Sequence, residues 1–239
     1  MKQFKSPSTH AHAQLQKRLL EWANASGFTA AALNVATMLR DVTVDCAAYA
    51  VSSDPGGDPI GSTFIFTCVA TRDEFLEFAG RPRTADVNRL SAMQDELNQL
   101  QGGLAASPST SSSSGDDLFA MASDANSRAA SEQAIERLQE KIHAMREKWY
   151  GKSIVSRMFT ANCANQMILV APPGVCANYE LPDGWGLLVP RQAVEATESS
   201  ESTPASWFAQ TINGRRFEVP PNRRLDLLQR IARAQSVAK

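Results

Sequence analysis

The sequence predicts an α/β protein in which a mixed central β-sheet is flanked by helices, with an antiparallel helical hairpin inserted into it. Apolar runs of strand length alternate with stretches of helical periodicity in both the first and the last part of the chain. Between these parts, residues 84–150 change to two heptad patterns separated by a Ser-rich segment. With 239 residues, of which 43% are hydrophobic, the chain is long enough for one large core that carries an insertion.

The N-terminal part predicts a helix, three strands and a short helix. Apolar residues recur at helical spacing over 9–26 and predict the first helix. Three apolar runs of strand length follow, at 28–35, 42–51 and 63–70. The polar stretch TRDEFLEF then predicts a short helix, because Thr71 can cap it and Glu74 follows three residues later.

Residues 84–150 predict the helical hairpin. Apolar residues recur at alternating spacings of three and four in two stretches, as in a coiled coil. They are Leu90, Met93, Leu97, Leu100 and Leu104 in the first stretch, and Ile135, Leu138, Ile142, Met145 and Trp149 in the second. The segment between them, about 105–129, is rich in Ser, Gly and Ala and predicts a disordered tip. The core is therefore expected in two halves, 1–83 and 151–239.

The C-terminal part predicts a return to the globular core. A helix over 152–162 and strands at 166–171 and 187–189 are expected. An edge hairpin over 207–219 is expected to turn at Asn213-Gly214. The last helix is expected to begin at Pro221 and to bury one stripe of apolar residues. That stripe consists of Leu225, Leu228 and Ile231.

Composition and charge narrow the function only slightly. Lys and Arg total 24 against 25 Asp and Glu, so the net charge of −1 does not indicate a nucleic-acid binder. The N-terminal residues lack the apolar stretch of a signal peptide, and no run approaches the roughly 20 apolar residues of a membrane span. We therefore expect a soluble cytoplasmic protein with no membrane partner. Cys46 and Cys68 are expected to be buried thiols, His10 and His12 to be exposed, and no cofactor is expected.

Four segments carry a family resemblance. They are RDVTVDCAAYAV, GSTFIFTCVATRDEFL, APPGVCANYELPDGWGLLVP and LLQRIARA. The first resembles the strand that carries the metal-binding Asp of PD-(D/E)XK nucleases, here Asp45, and the second resembles the strand and helix that carry their (D/E)-x-K motif. The last two resemble a bacterial branch of that superfamily that also has a helical insertion. The resemblance covers most of the chain, and it implies a restriction-endonuclease-like fold.

The same resemblance shows which motif residues are missing. Thr67 stands where the branch has Glu, Val69 where it has Lys, and Asn34 where an earlier strand often carries Glu. Only Asp45 remains. Mg²⁺ prefers oxygen ligands and is usually held by one or two carboxylates, and the lysine would stabilise the charge that develops during cleavage. The resemblance therefore implies weak metal binding and little or no cleavage.

Several charged residues have two interpretations. Asp45 is either a residual metal ligand or an acid in a structural hydrogen-bonded pocket. Arg72, Asp73 and Glu74 either replace the missing groups or form a solvated helix start. The C-terminal arginines form either a basic patch for phosphates or a solvated helix face. The arginines considered for nucleic-acid binding are Arg215, Arg216, Arg223 and Arg224.

Three functions follow from these alternatives. The first is a catalytically degenerate nuclease-like protein that is retained for binding DNA, a protein partner or itself. The second is a metal-dependent DNA endonuclease with a rearranged site of Asp45, Glu74 and Arg72, which would need Mg²⁺. The third is an interaction scaffold that binds a second copy or a partner through the hairpin at 84–150.

Overall fold

A computed structural model of the protein describes residues 10–51, 60–80, 82–106, 118–151, 153–191 and 203–237, with side chains described outside 106–126. The helices are α1 His10–Ala25, α2 Arg72–Phe78, α3 Thr84–Ala106, α4 Leu118–Tyr150, α5 Ile154–Thr160 and α6 Pro221–Val237. The strands are β1 Ala30–Ala36, β2 Thr43–Ala50, β3 Ser62–Cys68, β4 Gln166–Val170, β5 Gly186–Pro190 and β6 Phe208–Ile212. Two short 3₁₀ helices cover Asn178–Glu180 and Pro204–Ser206.

The strands form one six-stranded mixed sheet in the order β1-β2-β3-β4-β5-β6. The first three strands are antiparallel to one another, β3, β4 and β5 are parallel, and β6 returns antiparallel to β5. The parallel connection from β3 to β4 is long because it contains α2, α3, α4 and α5. The predicted α/β class, with a mixed sheet flanked by helices, is confirmed.

Helices cover the sheet because its strands are apolar on both sides. Helix α1 packs its buried Leu15 and Leu19 onto a cluster that includes Cys46, Phe66 and Cys68. The alternate positions of the same strands, such as Ile65, Met167, Leu169 and Leu187, are equally buried. Helix α6 packs against β1, β2 and β3. Cys46 and Cys68 are buried free thiols, as expected. Burial raises the pKa of Cys46 to about 12 and that of Cys68 well above its ordinary value.

The chain divides into two compact units. The first unit contains the sheet, and the second, Pro82–Trp149, is called the inserted unit here. The predicted insertion, 84–150, differs from the inserted unit by two residues at one end and one at the other. None of the helices in the described ranges has the length and apolarity needed to cross a membrane.

The two helices of the inserted unit bury the predicted heptad positions. Every predicted position is buried or half-buried, and the five buried ones are Leu90, Leu97, Leu138, Ile142 and Trp149. The pKa of Asp86 lies below its ordinary value mainly because Arg83 donates to it, and the charge of Lys148 lowers it further. Asp86 lies in the first turn of α3 and Lys148 in the last turn of α4, so the helices are antiparallel.

The predicted disordered tip is too long. Helix α4 already begins at Leu118 and runs for 33 residues, so it includes residues 118–129 of the segment predicted to be irregular. Alanine, the strongest helix former, is frequent in that stretch and outweighs the serines. Residues 107–117 of the predicted tip lie outside the described residues.

The predicted edge hairpin around Asn213-Gly214 is wrong. Strand β6 ends at Ile212, and its partner is β5. Gly214 instead lies directly against Gly186, where a Cβ on Gly214 would be 2.8 Å from the Gly186 nitrogen. The chain after β6 is held to the core by hydrogen bonds from Arg215 N to Gly184 O and from Phe217 N to Asn165 O, both 2.8 Å. A close glycine contact therefore replaces the turn.

The buried stripe of α6 is rotated from the prediction. Leu225 is 45% exposed, whereas Arg224, Leu227 and Ile231 are buried. Arg224 Nη1 donates to the carbonyl oxygen of Gly61 at 2.7 Å. The helix therefore directs a charged side chain inward, where it gives this carbonyl a hydrogen-bond donor.

We expect the double substitution Leu97→Asp with Ile142→Asp to unfold the inserted unit while the sheet stays folded. Both side chains are buried, and each buried carboxylate should cost about 2–4 kcal/mol. Hydrogen exchange should show lost protection in α3 and α4 and unchanged protection in β2, β3 and β4. The control Gln101→Asp with Gln139→Asp changes exposed positions of the same helices. Equal loss of protection in both units would contradict the division of the chain.

Candidate functional site at a fork between two strands

Strands β2 and β3 separate at one end of the sheet. Their pairing ends at Cys46↔Phe66, although β2 begins at Thr43 and β3 continues to Cys68. Beyond this point β2 pairs with β1, and β3 pairs with β4 through Thr67↔Leu169 and Cys68↔Val170. We call the opening between the two strands the fork.

Asp45 fills the fork with a carboxylate. Its Oδ2 accepts a hydrogen bond from the backbone N–H of Cys68 at 2.7 Å, which replaces the missing pairing between the strands. Its Oδ1 accepts from the side-chain amide of Gln16 on α1 at 2.6 Å. The side chain is only 19% exposed, so Asp45 is a largely buried acid with protein donors on both oxygens.

Glu74 brings a second carboxylate to the fork from the first turn of α2. Thr71 caps this helix by accepting from the Glu74 N–H at 3.2 Å, which fixes the direction of the first turn. Glu74 Oε2 in turn accepts from the backbone N–H of Ala70 at 2.7 Å. The side chain is 12% exposed, so it folds back over the end of β3 and does not extend into solvent.

His12 lies between the two acids. Its Nε2 is 3.0 Å from Asp45 Oδ1, and its Nδ1 is 3.1 Å from Glu74 Oε2. A ring that donates to both carboxylates carries a hydrogen on each nitrogen and is then an imidazolium. The hydrogen bond with Asp45 contributes most to raising the pKa of His12 to about 9, burial opposes this rise, and Glu74 adds to it. We call His12, Asp45 and Glu74 the fork cluster.

The prediction that His12 is exposed is wrong, whereas His10 is exposed as expected. The partners of His12 lie 33 and 62 residues away in the sequence, so local pattern does not reveal them. One signal was available. His12 and Gln16 are one helical turn apart, next to the buried stripe of Leu15 and Leu19, so they lie at the edge of the buried face of α1.

The strand registers place three of the positions that the resemblance singled out at one level of the sheet. The pairs Leu33↔Cys46 and Val35↔Val44 set Asn34 level with Asp45, and the pair Cys46↔Phe66 sets Asp45 level with Thr67. Asn34 is exposed and has a left-handed backbone with φ 54°. Thr67 is half-buried.

Val69 is a core residue. Its side chain is 2% exposed, and its N–H donates to Val170 O at 2.9 Å. An apolar side chain without a donor thus occupies the position where the resemblance would place a lysine.

Arg72 is not part of the fork cluster. Both of its terminal nitrogens donate to the carboxylate of Glu180, with Nη1 to Oε2 at 2.6 Å, and Nη1 also donates to Val175 O at 3.1 Å. Glu180 is almost fully buried, and its Oε2 also accepts from Ala177 N at 2.9 Å. This ion pair raises the pKa of Arg72. The rearranged site of Asp45, Glu74 and Arg72 therefore has its two acids joined through His12 and its arginine bound elsewhere.

The four C-terminal arginines considered for nucleic-acid binding all interact with other groups of this protein. Arg223 and Arg224 donate to the backbone carbonyls of Ala161 and Gly61, and Arg224 is 5% exposed. The remaining two are Arg215, which stacks on the ring of Phe217, and Arg216, which donates to Ser62 Oγ at 2.8 Å. Only these two are fully on the surface.

The fork residues do not fit a divalent metal ion. The two carboxylates bind opposite nitrogens of a positively charged ring, so they do not converge on a common point. Within the described ranges, no group of three or more His, Cys, Asp or Glu side chains is arranged to hold a metal. Mg²⁺ would also need further carboxylate ligands, and neither Thr67 nor Val69 has a carboxylate.

Comparison with other proteins adds little to this geometry. No protein-family model matches the chain, and no curated protein is significantly similar to it. Among solved structures, a protein of unknown function from Silicibacter pomeroyi is 12% identical, with a TM-score of 0.45, over 96% of this chain and 89% of its own. A similarity this low carries no argument about function.

We expect the stabilisation that His12 provides to disappear at high pH. The folded pKa is raised from 6.5 to about 9, so the contribution is complete below pH 6.5 and is lost as the pH rises through 9. Relative to His12→Asn, the wild type should be more stable by about 3 kcal/mol at pH 6 and equally stable above pH 9.5. Urea unfolding at several pH values measures this difference.

Groups that titrate in the same way in both proteins contribute equally to both free energies of unfolding, so they cancel in the difference between them. His10→Asn is the matched control, because His10 is exposed and bonds to Gln14 of its own helix. A difference between wild type and His12→Asn that does not change with pH would contradict the charged bridge.

We also expect Arg72→Ala to destabilise the protein strongly. It leaves the buried carboxylate of Glu180 without its ion-pair partner, which should cost about 3 kcal/mol or more. The double substitution Arg72→Met with Glu180→Met should recover part of the loss, because it removes both charges. Urea unfolding measures both. An Arg72→Ala protein as stable as the wild type would show that the pair is not structural.

Proposed function

We propose that this chain is a PD-(D/E)XK-like domain that has lost cleavage and serves as a binding protein. The proposal has three supports: the order of elements in the sheet, the use that the protein makes of Asp45, and the residues at positions 67 and 69.

The order of elements agrees with the framework that the sequence resemblance implies. A helix, three antiparallel strands and a further helix precede a strand that is parallel to β3. The Asp of the motif is expected on the second of these strands and the (D/E)-x-K motif at the end of the third. Asp45 lies on β2, Thr67 lies near the end of β3, and both are at the fork.

The observation that carries the proposal is how Asp45 is used. Both of its carboxylate oxygens accept hydrogen bonds from the protein, from Cys68 and Gln16, at 2.7 and 2.6 Å, and His12 lies 3.0 Å from one of them. A metal ion would have to compete with these donors for the carboxylate. Asp45 therefore acts as a structural acceptor that joins the separated strands, which favours the structural interpretation of this residue.

The neighbouring positions supply no substitute for the lost chemistry. A threonine hydroxyl at position 67 is a weak Mg²⁺ ligand, and the buried Val69 has no charge to place near a phosphate. The alternative of a rearranged nuclease needs Arg72 at the reacting phosphate. The bidentate ion pair with Glu180 argues against that role.

The binding partner that we propose is a protein or a second copy of the chain, and the favoured surface is the inserted unit. Two of the four C-terminal arginines are committed to backbone carbonyls, which weakens the case for nucleic acid. The inserted unit is a compact body of its own, and its outer positions are exposed and polar. This also retains the scaffold hypothesis as part of the same proposal.

We expect the wild-type protein to cleave no form of DNA or RNA above background in the presence of Mg²⁺ or Mn²⁺. Single-stranded, double-stranded and branched DNA and an RNA duplex should be incubated with wild type and with Asp45→Ala. The two proteins should give the same low signal, because the lysine and one carboxylate are missing. Cleavage by wild type that Asp45→Ala abolishes would overturn the proposal in favour of the rearranged nuclease.

A further inference from the structure

The fork cluster has a positive group where a nuclease of this kind would hold its metal. His12 belongs to α1, Asp45 to β2 and Glu74 to α2, so three separate elements meet at one ring. Two carboxylates that are 19% and 12% exposed would repel each other strongly if nothing positive lay between them. The imidazolium removes that repulsion without any ion from solution.

We propose that His12 is a resident cation that takes the place of a divalent ion between Asp45 and Glu74 and closes the fork to metals. This inference rests on the proposed function and deepens it, because it names the residue that excludes metal from the same site. It follows from the positions of both ring nitrogens and from the donors on the carboxylate oxygens.

The hydrogen bonds leave a metal little room to compete. Asp45 already accepts from Gln16 and Cys68, and Glu74 Oε2 accepts from Ala70. The planar ring keeps the two carboxylates on opposite edges, at 3.0 and 3.1 Å from its nitrogens, so they cannot both turn toward one ion while the ring is present.

The position of His12 is fixed by the core. Leu15 and Leu19, one and two turns further along α1, are 6% and 0% exposed and pack into the sheet cluster. The ring is thus held in place without loss of translational freedom on binding, whereas an ion from solution must lose its water and its freedom of movement. The His12 ring therefore occupies the site in preference to a dissolved metal ion at ordinary metal concentrations.

A purely structural role for His12 makes a different prediction from a resident cation. A side chain that only ties α1 to the sheet would leave a local packing defect when it is removed, and no ion would repair that defect. A resident cation would leave two uncompensated carboxylates, and any cation that fits would restore the lost stability.

The experiment is thermal unfolding at pH 7 of the wild type, His12→Ala, His12→Asn and the double variant His12→Ala with Asp45→Asn. Each is measured with chelator, with millimolar Mn²⁺ and with millimolar imidazole. His10→Ala is the matched control on the same helix. Direct calorimetric titration of Mn²⁺ into the wild type accompanies the series.

We expect chelator and Mn²⁺ to leave the Tm of the wild type unchanged, with no Mn²⁺ site tighter than millimolar. His12→Ala should have a lower Tm, which Mn²⁺ or imidazole raises by at least about 2 °C. The double variant should show no such rise, because one of the two carboxylates is gone. His12→Asn should respond to Mn²⁺ in the same direction.

Two outcomes would overturn the proposal. One is a wild type that binds Mn²⁺ at a site tighter than millimolar, and the direct titration establishes this even if the variants fail to fold. The other is a loss of stability in His12→Ala and His12→Asn that neither Mn²⁺ nor imidazole reverses. Cleavage by the wild type would refute the proposed function, whereas Mn²⁺ binding to a wild type that does not cleave would refute only the role of His12.

Discussion

The charge balance at the fork is the constraint on which this end of the sheet depends. Asp45 lies where β2 and β3 separate, and its carboxylate supplies the acceptor that the Cys68 N–H would otherwise lack. A buried carboxylate is tolerated only with compensating charge and hydrogen bonds. His12 and Gln16 provide these from α1, so the first helix, the second strand and the end of the third strand are held by one set of contacts. Glu74 extends the set to α2.

In the first turn of α2, charged side chains that the sequence suggests are solvated instead bind distant residues of the protein. Arg72 and Glu74 are two residues apart and bind different partners, Glu180 and the fork cluster. Interpreted locally, the stretch TRDEFLEF favours an exposed helix start, since acids there interact well with the helix dipole. Only the capping by Thr71 is visible in the sequence. Glu74 bonds to His12, which is 62 positions away in the sequence, and Arg72 bonds to Glu180, which is 108 positions away.

The sequence predicted the elements better than the site, for a physical reason. Strand-length apolar runs and heptad spacing are local, and they predicted the first three strands and the buried positions of α3 and α4, such as Leu97 and Ile142. The failures are long-range. His12 is buried by distant acids, and Arg224 is turned inward by the carbonyl of Gly61 in place of Leu225. Asp45 was singled out through the family resemblance, but its hydrogen-bond partners could not be predicted from local pattern.

The surroundings of the fork also favour an organic cation over a hydrated metal. Cys46 and Cys68, whose thiols are influenced by the charge of Asp45, are buried, and desolvation is the main cause of the raised pKa values of both thiols. Mg²⁺ releases its water reluctantly and usually keeps several water ligands, for which this largely buried site leaves little room. An imidazolium needs only two hydrogen-bond acceptors in the plane of its ring, and Asp45 and Glu74 supply one at each nitrogen. A side-chain cation is therefore the form of positive charge that this site can stabilise.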